Sequence, residues 1–125
     1  MFYTKYYLDI SSIHGIGLFA GEDIGMGEII WVPSNEFTLN FTEKELELLH
    51  SHKVQVIKHY GYLCKRTGVW NYSSEDSRYI NHSENPNVEL TPCNILKNGI
   101  WANKKIKKGE EITQDYSDFE ELRSF

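Results

Sequence analysis

The side chains best equipped for chemistry crowd into Arg78-Tyr79-Ile80-Asn81-His82-Ser83-Glu84-Asn85-Pro86-Asn87, where three amides, an imidazole and a guanidinium surround two apolar positions. A plain core strand does not carry such a load, because each buried polar atom without a partner costs roughly 1–3 kcal/mol. Asn-Pro biases Asn85 towards extended or turn geometry. The stretch therefore reads as a short strand, Tyr79-Ile80, running into a polar turn that either faces water or holds a ligand. Two other segments offer matching chemistry. Ser11-Ser12-Ile13-His14-Gly15-Ile16-Gly17 is a loop whose glycines allow positive φ and a close approach by a backbone or a ligand. It is no dinucleotide fingerprint, since the third glycine and the following helix are missing. Gly109-Glu110-Glu111-Ile112-Thr113-Gln114-Asp115-Tyr116 ends on a phenol, which by itself reads as a strand-end tyrosine with a solvated hydroxyl.

The elements that must position these segments are mostly short strands. Phe2 to Ile10 is a Tyr- and Phe-rich strand, and Leu18-Phe19-Ala20 is a short buried one. Glu28 to Val32 is a strand ended by Pro33. Val69 to Tyr72, Asn87 to Leu90 and Ile100-Trp101-Ala102 follow, the last after the hairpin signal Asn98-Gly99. Thr42-Glu43-Lys44-Glu45 fits a capping box and predicts one helix from about Glu43 to His52. Lys53 to Cys64 reads as strand or helix. Gly17-Leu18-Phe19-Ala20, Ile24, Gly27-Glu28 and Ile30 recur 82 residues later as Gly99-Ile100-Trp101-Ala102, Ile106, Gly109-Glu110 and Ile112. Two such units suggest two related corners of one β-structure. The fold class is mostly β, in several small sheets.

At 125 residues the chain makes one domain. Its net charge of −5 argues against nucleic acid as the main partner and is compatible with a basic peptide. No apolar run approaches membrane-spanning length, and the first ten residues are no secretory signal, so a soluble intracellular protein is expected. Cys64 and Cys93 stand in no metal-ligand spacing and read as two separate thiols in preference to a disulfide; the histidines form no zinc-like cluster.

Taken in order, the three segments resemble a SET domain, the β-clip fold of S-adenosylmethionine-dependent protein lysine methyltransferases, over about Ile10 to Asp118. The chain is as short as the minimal viral and bacterial members, without pre-SET or post-SET zinc modules. It is expected to be a single domain over 1–125, with 119–125 as a tail. The resemblance implies a C-terminal pseudoknot joining the last two segments, with one short helix in the insert. It also implies S-adenosyl-L-methionine as cofactor. His14, Gly15 and Ile16 would hold it through the backbone, Arg78, Asn81 and His82 would add contacts, and Phe119 would cover the adenine. Tyr116 would be the active-site tyrosine, and no metal is implied. The acceptor would be a lysine of a protein or peptide, a histone or another basic protein. The location would be cytoplasmic in a bacterium, or nuclear where host chromatin is the target.

The chemistry gives reasons for these residue types. A lysine with reference pKa near 10.4 is mostly charged at about pH 8, and neutralising it costs roughly 3 kcal/mol. A neighbouring sulfonium and an aromatic channel both lower that pKa, so no catalytic carboxylate is required. A phenol orients the amine without adding negative charge. Some positions depart from the pattern. Glu84 stands where many relatives have cysteine, Gln114 stands where they often have the Phe or Tyr associated with the number of methyls added, and Ser73 to Ser77 lacks the usual Gly-Asn. With no post-SET element, a wall of the channel must come from Phe119, Leu122 and Phe125 or from a second subunit in a homodimer. A non-catalytic β-clip interaction module is the other reading.

Overall fold

A computed structural model describes residues 1–34, 36–64, 67–90 and 99–116, apart from the side chain of residue 62. Ten strands, two α-helices and one 3-10 turn make up the described residues. The first hairpin pairs β1 (Tyr6–Ile10) antiparallel with β2 (Ile16–Ala20), Tyr6 opposite Ala20 and Ile10 opposite Ile16. A second sheet has the order β3 (Ile29–Trp31), β9 (Ile100–Ala102), β8 (Val88–Leu90). A third has the order β4 (Thr38–Phe41), β6 (Trp70–Ser73), β5 (Tyr62–Leu63). The fourth is a parallel pair of β7 (Asn81–His82) and β10 (Thr113–Gln114).

The internal echo is a structural one. Gly27 N–H donates to Ala102 O at 2.7 Å, and its counterpart Gly109 N–H donates to Ala20 O at 2.8 Å. Ala20 N–H reaches Glu110 O and Ala102 N–H reaches Glu28 O, both at 2.9 Å. Ile24 and Ile106 exchange both backbone bonds with each other. The two copies therefore embrace about a local two-fold axis. Each turns at a glycine with φ near +90° (88° at Gly27, 92° at Gly109), where a side chain would be strained. The apolar positions of both copies (Leu18, Ala20, Ile24 and Ile30; Ile100, Ala102, Ile106 and Ile112) pack with Ile80, Val88 and Trp31 into the main core.

The insert has its own small core of Leu46, Ile57 and Trp70. Here the expected single helix is two. α1 (Glu43–Glu47) starts at the anticipated capping box, with Thr42 Oγ1 accepting from Glu45 N–H and Glu45 Oε1 accepting from Thr42 N–H. The chain then breaks at 48–50 and restarts as α2 (Ser51–Tyr60), because His50 takes extended geometry and its Nδ1 accepts from His52 N–H. The ambiguous 53–64 stretch is thus helix to Tyr60 and strand at 62–63. β4, in a stretch for which no element was expected, pairs with β6 along its whole length, Thr38 opposite Ser73 and Phe41 opposite Trp70. Cys64 is disulfide-bonded rather than a separate thiol; Cys93 lies outside the described residues.

Two of these features position the polar stretch. A 3-10 turn (Asp76–Tyr79, η1) sits where a strand was expected from Tyr79, since Ile80 N–H closes back on Ser77 O at 3.2 Å. The strand begins one residue past Ile80, at Asn81. The 111–114 segment then runs between the two arms of the 81–87 loop. On one arm it pairs with β7; on the other Asn87 Nδ2 donates to Glu111 O at 2.8 Å and Asn87 Oδ1 accepts from Thr113 N–H at 2.9 Å. This is the expected C-terminal pseudoknot.

Candidate functional site

Asn81 is the residue in which the three sequence segments meet. Only 8 % exposed, its side-chain amide donates to His14 O at 3.0 Å, to Ile16 O at 3.3 Å and to Glu111 Oε2 at 2.9 Å. Two amide hydrogens thus face three acceptors. The Glu111 carboxylate also accepts from Ser11 Oγ at 2.8 and 2.9 Å. That hydroxyl oxygen in turn accepts from Ile13 N–H at 2.9 Å and His14 N–H at 3.3 Å, which bends the 11–17 loop. A Cβ at Gly17 would stand 2.4 Å from Glu111 Oε2, so a side chain there would displace that carboxylate from its bonds to Ser11 and Asn81. The loop residues 12–16 are themselves exposed. The result is an open rim backed by two backbone carbonyls and a carboxylate, an arrangement that suits a cationic amino group. His14, Gly15 and Ile16 are thus brought together with Asn81.

His82 and Tyr116 adjoin this cluster. His82 Nδ1 accepts from Tyr116 N–H at 3.1 Å, and the two rings are 5.3 Å apart. An accepting Nδ1 leaves the ring proton on Nε2. Asp115 Oδ1 lies 3.8 Å from the same Nδ1. The Tyr116 hydroxyl donates to Ile80 O at 2.6 Å, which fixes the phenol against the strand bearing Asn81. Gln114 at the end of β10 and Tyr116, two residues beyond it, both line a cavity of about 60 Å³ together with Ile80, Arg78, Tyr60 and Trp31. Gln114 is 6 % exposed. The cavity lies where the main core meets the insert.

Arg78 keeps different company from the other expected cofactor contacts. Its guanidinium stacks 5.1 Å from the Tyr60 ring and 5.2 Å from the Tyr79 ring. It donates to the Tyr72 hydroxyl at 3.4 Å and to the Tyr79 hydroxyl at 3.5 Å. Burial pulls its pKa down, but Tyr79, Tyr72 and Tyr60 together more than offset this and raise it. Arg78 therefore faces the cavity, not the His14–Ile16 loop. Phe119 lies outside the described residues. Residue-type reasoning gave no role to Glu111 or Ser11, although both lie inside or beside the quoted segments. It also missed Trp31, Tyr60 and Tyr72, whose convergence depends on the insert folding back. No cluster of metal-ligating side chains occurs among the described residues. Nor is any described helix long and apolar enough to cross a membrane.

Known proteins are similar to this chain in sequence and in fold. The family model described as the SET domain matches residues 15–117. Histone-lysine N-methyltransferase ASHH3 of Arabidopsis thaliana is 35 % identical over 113 residues, covering 82 % of this chain and 29 % of that protein. The H3 lysine-36 specific histone-lysine N-methyltransferase of Candida albicans is 29 % identical over 92 % of this chain and 14 % of that protein. This chain thus spans under a third of the length of these relatives. Among solved structures, Chaetomium thermophilum Polycomb Repressive Complex 2, in an autoinhibited conformation bound to S-adenosylmethionine, superimposes with a TM-score of 0.70. It is 27 % identical over 95 % of this chain and 16 % of the matched one. With the pseudoknot, the polar loop and the family match in agreement, the chain belongs to the SET domain family.

Proposed function

We propose that this protein is an S-adenosyl-L-methionine-dependent protein-lysine N-methyltransferase. The observation that carries the reading is the double role of Tyr116. Its backbone N–H donates to His82 beside the Asn81 cluster, while the residue also lines the cavity with Gln114. A cofactor site and an acceptor site would then meet across the β7–β10 pair. The acceptor groups around Asn81 fit a cationic amino-acid end, with His14, Gly15, Ile16, Asn81 and His82 as the residues that would hold it. S-Adenosylmethionine, when bound, supplies an electrophilic methyl on a sulfonium. This chain's residues would hold the acceptor nitrogen in line with it. Tyr116, tied to Ile80 O at 2.6 Å, would orient the amine. Positioning of this kind is worth roughly 7–11 kcal/mol of barrier. The proton on the amine would leave to water.

A histone or another basic protein is the acceptor class favoured by the relatives' activities and by the net charge of −5. That acceptor would place the protein in a nucleus, whereas a different basic protein would suit the cytoplasm. A second subunit in a homodimer would supply a channel wall if the tail does not.

The test is calorimetry with S-adenosylmethionine and its demethylated product, paired with turnover of Tyr116→Phe. Saturable binding by both proteins, with turnover in the variant reduced far more than affinity, is expected. No heat and no thermal shift with either ligand would leave the non-catalytic interaction module as the better account.

A further inference from the structure

We propose that Arg78 is a specificity-determining residue of the acceptor cavity, admitting a neutral amine and excluding ammonium and guanidinium groups. The proposal rests on the reading of that cavity as the lysine site. Among the described residues, Arg78 is the one permanent cation lining a cavity of about 60 Å³ that Tyr116 also lines. An amine delivered to Tyr116 would therefore share that cavity with a positive charge.

That charge is not neutralised within the described structure. The groups facing Arg78 are phenols from three elements: Tyr60 at the end of α2, Tyr72 on β6 and Tyr79 on η1. The Arg78 Nε–H is buried and has no acceptor among the described residues. Both acids of η1's N-terminal flank are engaged elsewhere. Glu75 pairs with the Met1 amine at 2.7 Å, and Asp76 accepts from the Tyr6 hydroxyl at 2.8 Å. Beside Tyr116, Asp115 and His82 face one another. Glu111, in the threaded segment of the pseudoknot, is taken up by Ser11 and Asn81. Among the described residues no carboxylate pairs with Arg78.

The consequence is a filter. A like charge nearby disfavours the protonated form of an incoming amine, so a lysine side chain would shed its proton to solvent water on entry. Its lone pair would then be free to attack. Arginine, with a pKa above 12, cannot take that route. Arg78 would thus favour lysine over arginine and set the acid limb of the reaction, without acting as a base.

The experiment needs no turnover. n-Butylamine, which matches the lysine side chain, and n-butylguanidine, which stays charged, are titrated into the protein at about pH 7 and about pH 9. Binding is followed by the NMR shift of the indole N–H of Trp31, a lining residue whose buried donor has no partner among the described residues. In the wild type, n-butylamine affinity should rise roughly tenfold per pH unit, following the neutral fraction, and n-butylguanidine should not bind. Arg78→Met should flatten that slope and admit the guanidine, whereas Arg78→Lys should keep both wild-type behaviours. The Lys variant decides the matter if the Met variant does not fold. Equal n-butylamine affinity at the two pH values, n-butylguanidine binding to the wild type, or no n-butylamine binding at about pH 9 would each overturn the proposal. A failure of methyl transfer alone would count against the enzymatic reading and leave this result intact.

Discussion

Replacing Asn81 by aspartate changes the amide NH2 into an oxygen, and the contacts around it fix the cost. The wild-type amide donates to a carboxylate and to two backbone carbonyls. A bond to a charged group contributes roughly 1.5–3 kcal/mol and one to a neutral group roughly 0.5–1.5 kcal/mol. Asn81→Asp removes both kinds and sets a second carboxylate against Glu111. Two charges about 4 Å apart repel by roughly 4 kcal/mol at an effective dielectric of 20, unless the pair keeps a proton. We expect a net loss on the order of 4 kcal/mol near neutral pH, a large part of the roughly 5–15 kcal/mol that holds a domain together. The introduced carboxyl has its pKa raised in the folded state, so the variant's deficit is smallest in acid. It grows as the pH rises from the unfolded value through the folded one. Glu111→Gln in the same chain restores a donor opposite the new carboxylate, so the double variant should be more stable than the sum of the single losses by roughly 1–3 kcal/mol. Urea unfolding of wild type, both single variants and the double variant, at several pH values, measures all of this. A loss below about 0.5 kcal/mol for Asn81→Asp, or strict additivity with Glu111→Gln, would refute the claim that Asn81 ties loop to pseudoknot as a donor.

Gly17→Ala should destabilise by roughly 1–3 kcal/mol, because its Cβ meets Glu111 Oε2 at 2.4 Å. Gly25→Ala meets only Glu28 Oε1 at 3.5 Å and should stay within about 0.5 kcal/mol; equal denaturation midpoints for the two would contradict the contact. Tyr6 titrates late, its pKa pushed up to about 12 by burial and then by Asp76, to which it donates at 2.8 Å. A raised folded-state pKa contributes stability that is full below the unfolded value of about 10 and is lost as the pH rises through the folded one. Absorbance titration of wild type against Tyr6→Phe should show one phenol fewer ionising near pH 12, and a difference confined to the pH 10 region would be wrong for this bond.

The sequence was most legible where one residue type does one local job. The capping box at Thr42 and Glu45 formed as written, and Gly27 and Gly109 of the internal echo sit at matching positive-φ turns. The meeting of His14 and Ile16 with Asn81 was legible only through the resemblance, since a parallel strand pair in a pseudoknot brings distant residues together without leaving a local trace. What stayed hidden depended on such long-range contacts. The break at 48–50 turns on a histidine acting as cap, a role its side chain takes less often than Ser, Thr, Asp or Asn. Arg78 shares its segment with Asn81, yet the 3-10 turn that carries it points it at phenols from the insert. Glu111 sat in plain view inside the third segment. Only its partners, Ser11 at one end of the chain and Asn81 in the middle, show what it does.

Methyl transfer itself is the most direct measurement. The protein is incubated with methyl-labelled S-adenosylmethionine and a mixture of basic proteins that includes histones, and the labelled band is mapped by mass spectrometry. Label on a lysine side-chain nitrogen, present with the wild type and nearly lost with Tyr116→Phe, is the predicted result. Cofactor binding without label on any protein, or label that persists undiminished in the Tyr116→Phe variant, would contradict it.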